Sequence, residues 1–544
     1  GATSLAAELV WTRALIFYVH NSTYAFSAIL ALYLVGIALG ALLATRFVRD
    51  PGHAVRALAA TLAAGSLSLL LAIAAYRHLP TLAGLLAGER PLAPGVTGVP
   101  EASLVVWSWG TALVMIFGQV AAVLLLPALF LGAVFPLTLK LAGGDDGPAA
   151  ALVGRLYAVN TLGSVAGALA GTFALVALLG TRGALLFVAW LPVPVALWAL
   201  WKVGASRKVR ASLAGALLAS MGAGSLAAAP AGFYEELFAR RFGPVVWFSE
   251  GVSETVAVCD HEDGSRWIQF SDGRGASGTW SHQGGWLIAH LPLLLHPEPA
   301  STAVVCFGTG NTLGAASRHP LAAIDGVELS PEVVKAAPLF SETNHDVLLD
   351  ARVRIVIVDG RSYFLSTDRT YDVIATEPPL VHTAGVVNLY SRDFYELCSR
   401  RLTDEGFMAV WLATWELEAP EMRMLVRAFV DVFPWASVWD CTHDYEWLLI
   451  GSKSPPALDL DALAARRAEP RLARDLARID VEMGGVKTPG DLLSLYLMGR
   501  EAMVAFADGA APVTGDRSVV DFTTPRRARA NFGLGEWVTG GIRT

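Results

Sequence analysis

A short glycine turn in the second half of the chain carries a chemical signal. The run 302–307 is typical of a buried strand, Gly308 and Gly310 follow it at once, and a helical pattern begins at Asn311. Glycines at such a turn let backbone amides approach a ligand closely, and strand, glycine turn and helix in this order open many nucleotide-binding domains. The turn therefore favours nucleotide binding, although a lone Gly-x-Gly is a weak signal by itself.

Acidic residues end the next predicted strands, at the edge where doubly wound sheets bind their ligands. Glu328 follows about twenty residues later, where a carboxylate can accept hydrogen bonds from both ribose hydroxyls of a nucleoside. Asp359 precedes Gly360 at the end of the third strand, and an acid there can accept from an exocyclic amine such as that of adenine. The alternatives are a solvated loop acid for Glu328 and a turn residue for Asp359.

A further acid, Glu377, ends the fourth predicted strand and precedes Pro378 and Pro379. A partly buried carboxylate at this position would face the place of a transferred group and could take a proton from an attacking amine. Glu377 is therefore the candidate general base. A purely structural glutamate is the alternative.

These residues require a sheet that aligns the ends of its strands. Runs of β-type residues alternate with helical segments, which predicts a mainly parallel sheet with helices on both faces. Two shorter runs, 254–259 and 266–270, joined through an acidic turn with Gly264, predict a β-hairpin before that sheet. The predicted strands of the sheet are 302–307, 323–328, 353–358, 373–376, 407–412, 436–439 and 447–451.

The first 230 residues have a different composition. The chain of 544 residues is 54% hydrophobic and only 16% charged, whereas about a quarter of the residues of soluble proteins are charged. Its apolar runs concentrate before residue 230, and about seven are long enough to cross a hydrocarbon core of about 30 Å. We expect a multi-pass α-helical membrane bundle with the lipid bilayer as its partner. The predicted spans are 2–19, 23–47, 55–76, 104–141, 151–179, 183–202 and 210–229.

Other classes of site and partner are disfavoured. A net charge of −7, with no block of Lys and Arg in the second half, gives no electrostatic footprint for nucleic acid. The four cysteines lie far apart and form no Cys-x-x-Cys pair, so neither a zinc site nor a redox motif is indicated. We therefore expect no nucleic-acid partner and no metal.

The second half of the chain resembles the spermidine synthase (polyamine aminopropyltransferase) family. That family joins a β-hairpin domain to a Rossmann-like, methyltransferase-type domain, so the resemblance implies an α/β domain of this fold. It covers about residues 250 to 450. The matching motifs are Asp272-Gly273, Ala289-His290, the glycine turn, Val327-Glu328, Asp359-Gly360-Arg361 and the strand ending in Glu377.

The chain as a whole is similar to membrane-fused spermidine synthase-like proteins of bacteria. The motifs that carry this similarity include Trp11 with Arg13, Tyr24 with Phe26, Gly132 to Pro136, Tyr157 to Thr161, Asn388 to Tyr390 and Val513 to Arg526. Four parts follow: a transmembrane helical domain (1–230), a β-hairpin part (231–285), a nucleoside-binding domain (286–455) and a C-terminal helical extension (456–544). Because the sequence opens inside an apolar run, we also expect its natural start to lie upstream.

The resemblance also implies a cellular location, the inner membrane of a bacterium. Lys and Arg flank alternate loops of the apolar half, which predicts that those loops are cytoplasmic. Seven true spans would put the soluble domain on the opposite face, away from the nucleotide pool of the cell. We expect the soluble domain on the cytoplasmic side of the membrane, and the opposite side is the alternative.

The resemblance implies a nucleoside-sulfonium donor, decarboxylated S-adenosylmethionine or S-adenosylmethionine, and an amine or polyamine acceptor. Gly308, Gly310, Asn311, Glu328, Asp359 and Gly360 would bind the donor, and Glu377 would take the proton. A homodimer is a further expectation.

The chain also departs from the family. Neutral Asn311 stands where the glycine loop carries an Asp for the aminopropyl ammonium, and Glu377 replaces the first catalytic Asp. Ala276 and a run from Trp280 to Trp286 replace the polyamine-binding Gln and acids. A diamine would lose its anionic partners. A different acceptor pocket could be rebuilt from His282, Gln283, His382 and Tyr390, for which a structural role is the alternative.

Three functions follow from these observations. The first is membrane-bound transfer of a group from an S-adenosyl donor to an amine. The second is a methyltransferase or lyase acting on S-adenosylmethionine, which Asn311 tolerates better. The third is a polyamine or nucleoside sensor or transporter without catalysis.

Overall fold

The computed structural model describes residues 1–47, 51–79, 109–142, 149–272, 275–279, 282–414, 417–441, 446–479 and 485–528. Its first part is helical, and a π-helical turn at Gly171–Leu175 joins two of the helices. The helices are α1 (Ala2–Val19), α2 (Thr23–Phe47), α3 (Pro51–Arg77), α4 (Trp109–Ala142), α5 (Ala149–Ala170), α6 (Val176–Trp190), α7 (Val193–Lys202), α8 (Arg207–Ala228) and α9 (Phe233–Phe242).

Six helical stretches among the described residues are long and apolar enough to cross a membrane, by length and composition. Two predicted spans, 151–179 and 183–202, fall in one of these stretches, which breaks at Gly180 with φ 67° and ψ 170°. The predicted span 104–141 corresponds to α4, which continues through both of its prolines, and residues 104–108 lie outside the described residues. The number of membrane spans stays a prediction.

The larger part of the chain begins with a small antiparallel sheet. The predicted hairpin is confirmed, with Val258 opposite Ile268, and the structure adds one strand on each side of it. The sheet order is β1 (Val245–Glu250), β2 (Thr255–Asp260), β3 (Arg266–Phe270) and β4 (Gly275–Gly278).

A second sheet of eight strands follows, in the order β12-β10-β11-β9-β8-β5-β6-β7. The five strands from β9 to β7 are parallel, and β11, β10 and β12 join antiparallel, so the sheet is mixed. Its strands are β5 (Ser301–Val305), β6 (Ala323–Glu328), β7 (Val353–Ile357), β8 (Tyr371–Thr376), β9 (Leu402–Ala413), β10 (Trp435–Asp440), β11 (Glu446–Ser452) and β12 (Tyr496–Gly499).

Helices cover both faces of this sheet, because alternate residues of its strands point to opposite sides. On β5, Val304 packs into one apolar core and Ala303 into the other. The segment 456–544, expected as a helical extension, also supplies β12. The helices are α10 (His282–Leu295), α11 (Asn311–Ser317), α12 (Pro331–Ala336), α13 (Ser341–Asn344), α14 (Gly360–Ser366), α15 (Arg392–Arg401), α16 (Ala419–Val430), α17 (Leu460–Arg467), α18 (Pro470–Arg478), α19 (Pro489–Leu493), α20 (Arg500–Phe506) and α21 (Val520–Ala528).

Candidate active site

The parallel strands end in register, which brings the predicted acids to one edge. Val305 pairs with Val327 on one side and with Thr376 on the other, and Glu328 pairs with Ile357. The residues that follow these strand ends therefore meet around the end of β5. Cys306, which follows β5, lies near all three acids. Burial raises the pKa of its thiol well above the ordinary value, and the charges of Glu328, Glu377 and Asp359 raise it further.

The glycine turn after β5 has the backbone conformation that its sequence predicts. Gly308 and Gly310 have φ values of 55° and 85°, in the left-handed region that glycine adopts without a steric penalty. Gly310 forms the N-cap of α11, and a Cβ there would meet the Phe307 ring at 2.8 Å. Among the described residues, a Cβ on Gly308 would meet only Ser277, at 3.8 Å, which leaves room for a ligand beside the turn.

Both oxygens of Glu328 accept hydrogen bonds from the backbone. Its Oε2 accepts from the N–H of Phe307 at 3.0 Å, and its Oε1 accepts from the N–H of Ser330 at 2.9 Å. Burial raises the pKa of Glu328, while these N–H groups act in the opposite direction. Since each carboxylate oxygen has more than one lone-pair site, the carboxylate can also accept from two ribose hydroxyls. The two backbone hydrogen bonds fix the orientation of the carboxylate.

Asp359 is exposed beyond the end of β7 and forms the N-cap of α14, where Oδ1 accepts from the N–H of Ser362 at 2.8 Å. Its second oxygen can therefore accept from a ligand. Gly360 is buried behind it, and a Cβ there would overlap Val305 at 2.6 Å. Asp359 can therefore cap the turn with one oxygen and accept from a ligand with the other, so the two predicted roles do not exclude each other.

Glu377 lies directly after β8, where its N–H donates to the carbonyl of Val305 at 3.2 Å. Its Oε2 accepts a hydrogen bond of 2.8 Å from the hydroxyl of Thr312, the second residue of α11. Burial raises the pKa of Glu377 to about 7, the hydrogen bond from Thr312 lowers it, and the charge of Glu446 raises it. A carboxylate with a pKa near neutrality is suited to accept a proton in a reaction.

Asn311 is 3% exposed and lies between the glycine turn and Thr312. Its Nδ2 donates to the carbonyl of Gly278 at 3.3 Å, and its Oδ1 has no hydrogen-bond partner in the described part of the chain. Buried amide oxygens are normally hydrogen-bonded. The unsatisfied oxygen is therefore suited to accept from a polar ligand group.

The four acceptor candidates lie in two segments, the start of α10 and the loop after Glu377. His282 and Gln283 open α10, whose Gly285 packs against Asn311 and Thr312. The Nδ1 of His282 lies 2.6 Å from the carbonyl of Thr279, and burial lowers the pKa of this histidine.

His382 and Tyr390 belong to the loop after Glu377, which ends in a 3₁₀ turn at Val386–Tyr390. His382 is buried, and the hydroxyl of Tyr390 donates to the carbonyl of Pro378 at 3.4 Å. The tyrosine therefore closes the loop on the residue that follows the candidate base.

Two contacts at this edge were not predicted from the sequence. Thr312 contacts Glu377, and the only signal in the sequence is its place two residues after Gly310. Glu446 begins β11 and pairs with Ala413, so its carboxylate influences Glu377 from a strand that lies 69 residues later in the chain. Among the described residues, no group of three or more His, Cys, Asp or Glu side chains is arranged to hold a metal ion.

The strands and loops of this edge lie in the part of the chain that known proteins match. Residues 285–452 match the family model of the spermine/spermidine synthase domain. This part of the chain is similar to that domain, and the predicted resemblance is confirmed for it.

Curated relatives cover the same part. The chain is 30% identical over 123 residues to the polyamine aminopropyltransferase of Methanocaldococcus jannaschii, covering 22% of this chain and 42% of that protein. It is 29% identical over 184 residues to the polyamine aminopropyltransferase of Moorella thermoacetica, covering 32% and 64%. The chain thus spans less than two thirds of the length of the curated relatives it matches.

Among solved structures, the chain is similar to the spermidine synthase from Thermotoga maritima at 18% identity and a TM-score of 0.40. That match covers 49% of this chain and 88% of the other.

Proposed function

We propose that the protein is a membrane-bound transferase that moves a group from an S-adenosyl sulfonium donor to an amine, in the first place an aminopropyl group. The observation that carries the proposal is Glu377. It has a pKa near 7 at the strand edge that also holds Glu328 and Asp359. The spermidine synthase-like domain and its polyamine aminopropyltransferase relatives support the same chemistry.

In this reaction the amine attacks the donor carbon that is bonded to positive sulfur. The nitrogen lone pair forms the N–C bond, the C–S bond breaks, and its electron pair goes to sulfur, which leaves as neutral methylthioadenosine. The new ammonium gives its proton to Glu377. The protein mainly aligns the two molecules, because a positioned nucleophile and a leaving group that becomes neutral require little further catalysis.

Asn311 favours a second candidate, transfer of the methyl group of intact S-adenosylmethionine. Decarboxylated S-adenosylmethionine carries an ammonium without a carboxylate, and neutral Asn311 offers that ammonium no negative charge. Intact S-adenosylmethionine carries its own carboxylate beside the ammonium and depends less on a protein acid.

The test is product analysis with the purified full chain in detergent or nanodiscs. Decarboxylated S-adenosylmethionine and S-adenosylmethionine are each incubated with an amine mixture, and the nucleoside products are separated by chromatography. Methylthioadenosine from the decarboxylated donor supports aminopropyl transfer, and S-adenosylhomocysteine from the intact donor supports methyl transfer. If neither product is formed from either donor, the proposed activity is contradicted.

The six long apolar helices support the membrane part of the proposal, and we propose an inner-membrane location with the α/β part on the cytoplasmic side, where S-adenosyl donors are made. Protease accessibility in intact and in permeabilised spheroplasts tests the side. Cleavage of the α/β part in intact spheroplasts would contradict it.

A further inference from the structure

The turn between α1 and α2 contacts the loop that follows the candidate base. The backbone carbonyl of Asn21, in this turn, accepts a hydrogen bond of 3.0 Å from the N–H of Ala384. Ala384 lies seven residues after Glu377, in the loop that carries His382 and that Tyr390 closes. The apolar helical part therefore forms a boundary of the acceptor side of the site.

A second contact of this turn reaches the small sheet. His20 has a φ of 62°, and its Nδ1 lies 3.2 Å from the carbonyl of Asp272, which is buried just after β3. Residues other than glycine seldom adopt this left-handed conformation, and such strain persists where surrounding contacts fix it. The turn is thus held in place between two segments of the α/β part.

Three acidic side chains, Glu254, Asp272 and Glu328, influence one another next to this contact. Burial raises the pKa of Glu254 well above its ordinary value, the charges of Asp272 and Glu328 raise it further, and Arg13 of α1 lowers it. Arg13 itself donates to the carbonyls of Val252 and Gly251 at 2.7 and 2.5 Å. A cationic amine that arrives there would be attracted by the charges of Asp272 and Glu328 and would favour the ionised form of Glu254, since opposite charges in a poorly hydrated site interact strongly.

The turn also holds an unused acceptor. The Oδ1 of Asn21 is buried and has no hydrogen-bond partner in the part of the chain that the structure describes. A buried acceptor without a partner destabilises the chain, and an amine N–H donor would satisfy it.

An apolar surface leads from the turn along α2. Phe26, Leu30 and Leu34 lie four residues apart, so they share one face of the helix, and they are 43%, 49% and 54% exposed. The helix Thr23–Phe47 is one of the stretches long and apolar enough to cross a membrane. An acyl chain can lie along this face while its headgroup stays at the turn.

We infer that the acceptor amine belongs to a membrane lipid, whose amine headgroup enters the site at the α1–α2 turn while its tail lies along α2. The inference rests on the proposed function. It gives a reason for the loss of the polyamine-binding residues, because a lipid acceptor has one amine and needs no second anionic pocket. In the transfer, the lone pair of the neutral lipid amine forms the N–C bond with the donor carbon, and the C–S bond breaks as its electron pair goes to sulfur. Neutral methylthioadenosine leaves, and Glu377 takes a proton from the new ammonium.

The test compares two sources of amine with the full chain in nanodiscs and decarboxylated S-adenosylmethionine as donor. One arm uses nanodiscs of phosphatidylethanolamine with phosphatidylglycerol, and the other uses phosphatidylcholine with phosphatidylglycerol plus soluble 1,4-diaminobutane. Methylthioadenosine release is followed in both, and the lipid product is identified by its mass increase. We expect release at least tenfold faster with phosphatidylethanolamine, together with an aminopropylated lipid.

The outcomes separate the two levels of the proposal. Release with diaminobutane and not with phosphatidylethanolamine would overturn the lipid acceptor and leave the transferase intact. Release with neither amine would overturn both. Release that requires phosphatidylethanolamine but leaves its mass unchanged would also overturn the lipid acceptor, because the lipid would then support folding only.

A variant tests the turn itself. Asn21→Ala should raise the KM for phosphatidylethanolamine about fivefold with little change in kcat, because it removes an acceptor for the headgroup and leaves Glu377 in place. Thr45→Ala, on the exposed face near the other end of α2, is the matched control and should change neither constant. An unchanged KM in Asn21→Ala would contradict the placement of the headgroup.

Discussion

The hydroxyl of Thr312 donates a hydrogen bond of 2.8 Å to Oε2 of Glu377, which joins the first turn of α11 to the end of β8. The same turn of α11 follows Gly310, beside the predicted nucleoside site. The hydrogen bond thus orients the candidate base relative to the glycine turn. It also favours the ionised carboxylate and opposes the effect of burial on the pKa of Glu377.

Replacement of Glu377 by glutamine should abolish turnover and leave nucleoside binding intact. The amide has nearly the same shape but cannot accept a proton, and general-base catalysis typically contributes 10²–10⁴-fold. We expect methylthioadenosine release to fall at least about a hundredfold, while calorimetry finds the affinity for methylthioadenosine within about twofold of wild type. Glu396→Gln on the surface of α15 is the control and should retain full activity. Wild-type turnover in Glu377→Gln would exclude the assigned role.

The pH profile should report the hydrogen bond from Thr312. Glu377 is active as a base only when ionised, so activity should rise with pH through about 7. Thr312→Val removes a hydrogen bond to the charged form, worth about 1.5 kcal/mol, which corresponds to roughly one pH unit. The rising limb of kcat/KM should therefore move to higher pH by about that amount. Thr312→Ser keeps the hydroxyl and should follow the wild-type profile, and identical profiles for all three proteins would refute the coupling.

Asp359 combines a helix cap with a ligand contact, and two variants separate these roles. Asp359→Asn keeps an N-cap of nearly equal strength but removes the charge, whereas Asp359→Ala also removes the cap, at a cost of about 1 kcal/mol. Both should weaken methylthioadenosine binding about tenfold, and only Asp359→Ala should lower the melting temperature. Calorimetry and thermal unfolding measure the two effects. Full affinity in Asp359→Asn would restrict Asp359 to its capping role.

Local patterns in the sequence were sufficient for much of the fold. The strand β6 begins and ends as predicted, and the hairpin β2–β3 was recognised because turn residues and alternating β-type residues are local signals. The glycine turn predicts its own left-handed conformation for the same reason. The acids at the strand ends follow from the alignment of parallel strands, which a single sequence implies.

Contacts between distant segments could not be predicted. Strand β12 joins the sheet beside β10, and its short run Tyr496–Gly499 has no pattern that distinguishes it from a loop. The contact of Asn21 with Ala384 joins residues 363 positions apart through backbone atoms, so no side-chain type encodes it. Such contacts depend on how helices and strands pack once they have formed, so a single sequence does not reveal them.

Asp475 of α18 should stabilise the attachment of the C-terminal segment. Its Oδ2 lies 3.0 Å from Nε2 of His345 and 3.4 Å from Nε of Arg318, and the carboxylate is 3% exposed. Burial raises the pKa of Asp475, but His290 and His345 outweigh it and hold the pKa well below its usual range. Removal of one partner from such a buried group costs about 3 kcal/mol, so Asp475→Asn should lower the melting temperature at pH 7 by roughly 5 °C.

The pH dependence of this effect has a definite sign. Because the pKa of Asp475 is lower in the folded chain, its stabilisation is complete above the unfolded pKa near 4 and is lost as the pH falls below that value. Thermal unfolding between pH 3 and 8 should therefore show wild type and Asp475→Asn converging at acidic pH, with Asp508→Asn on the exposed surface matching wild type throughout. Equal melting temperatures of wild type and Asp475→Asn at pH 7 would show that the carboxylate does not hold the segment in place.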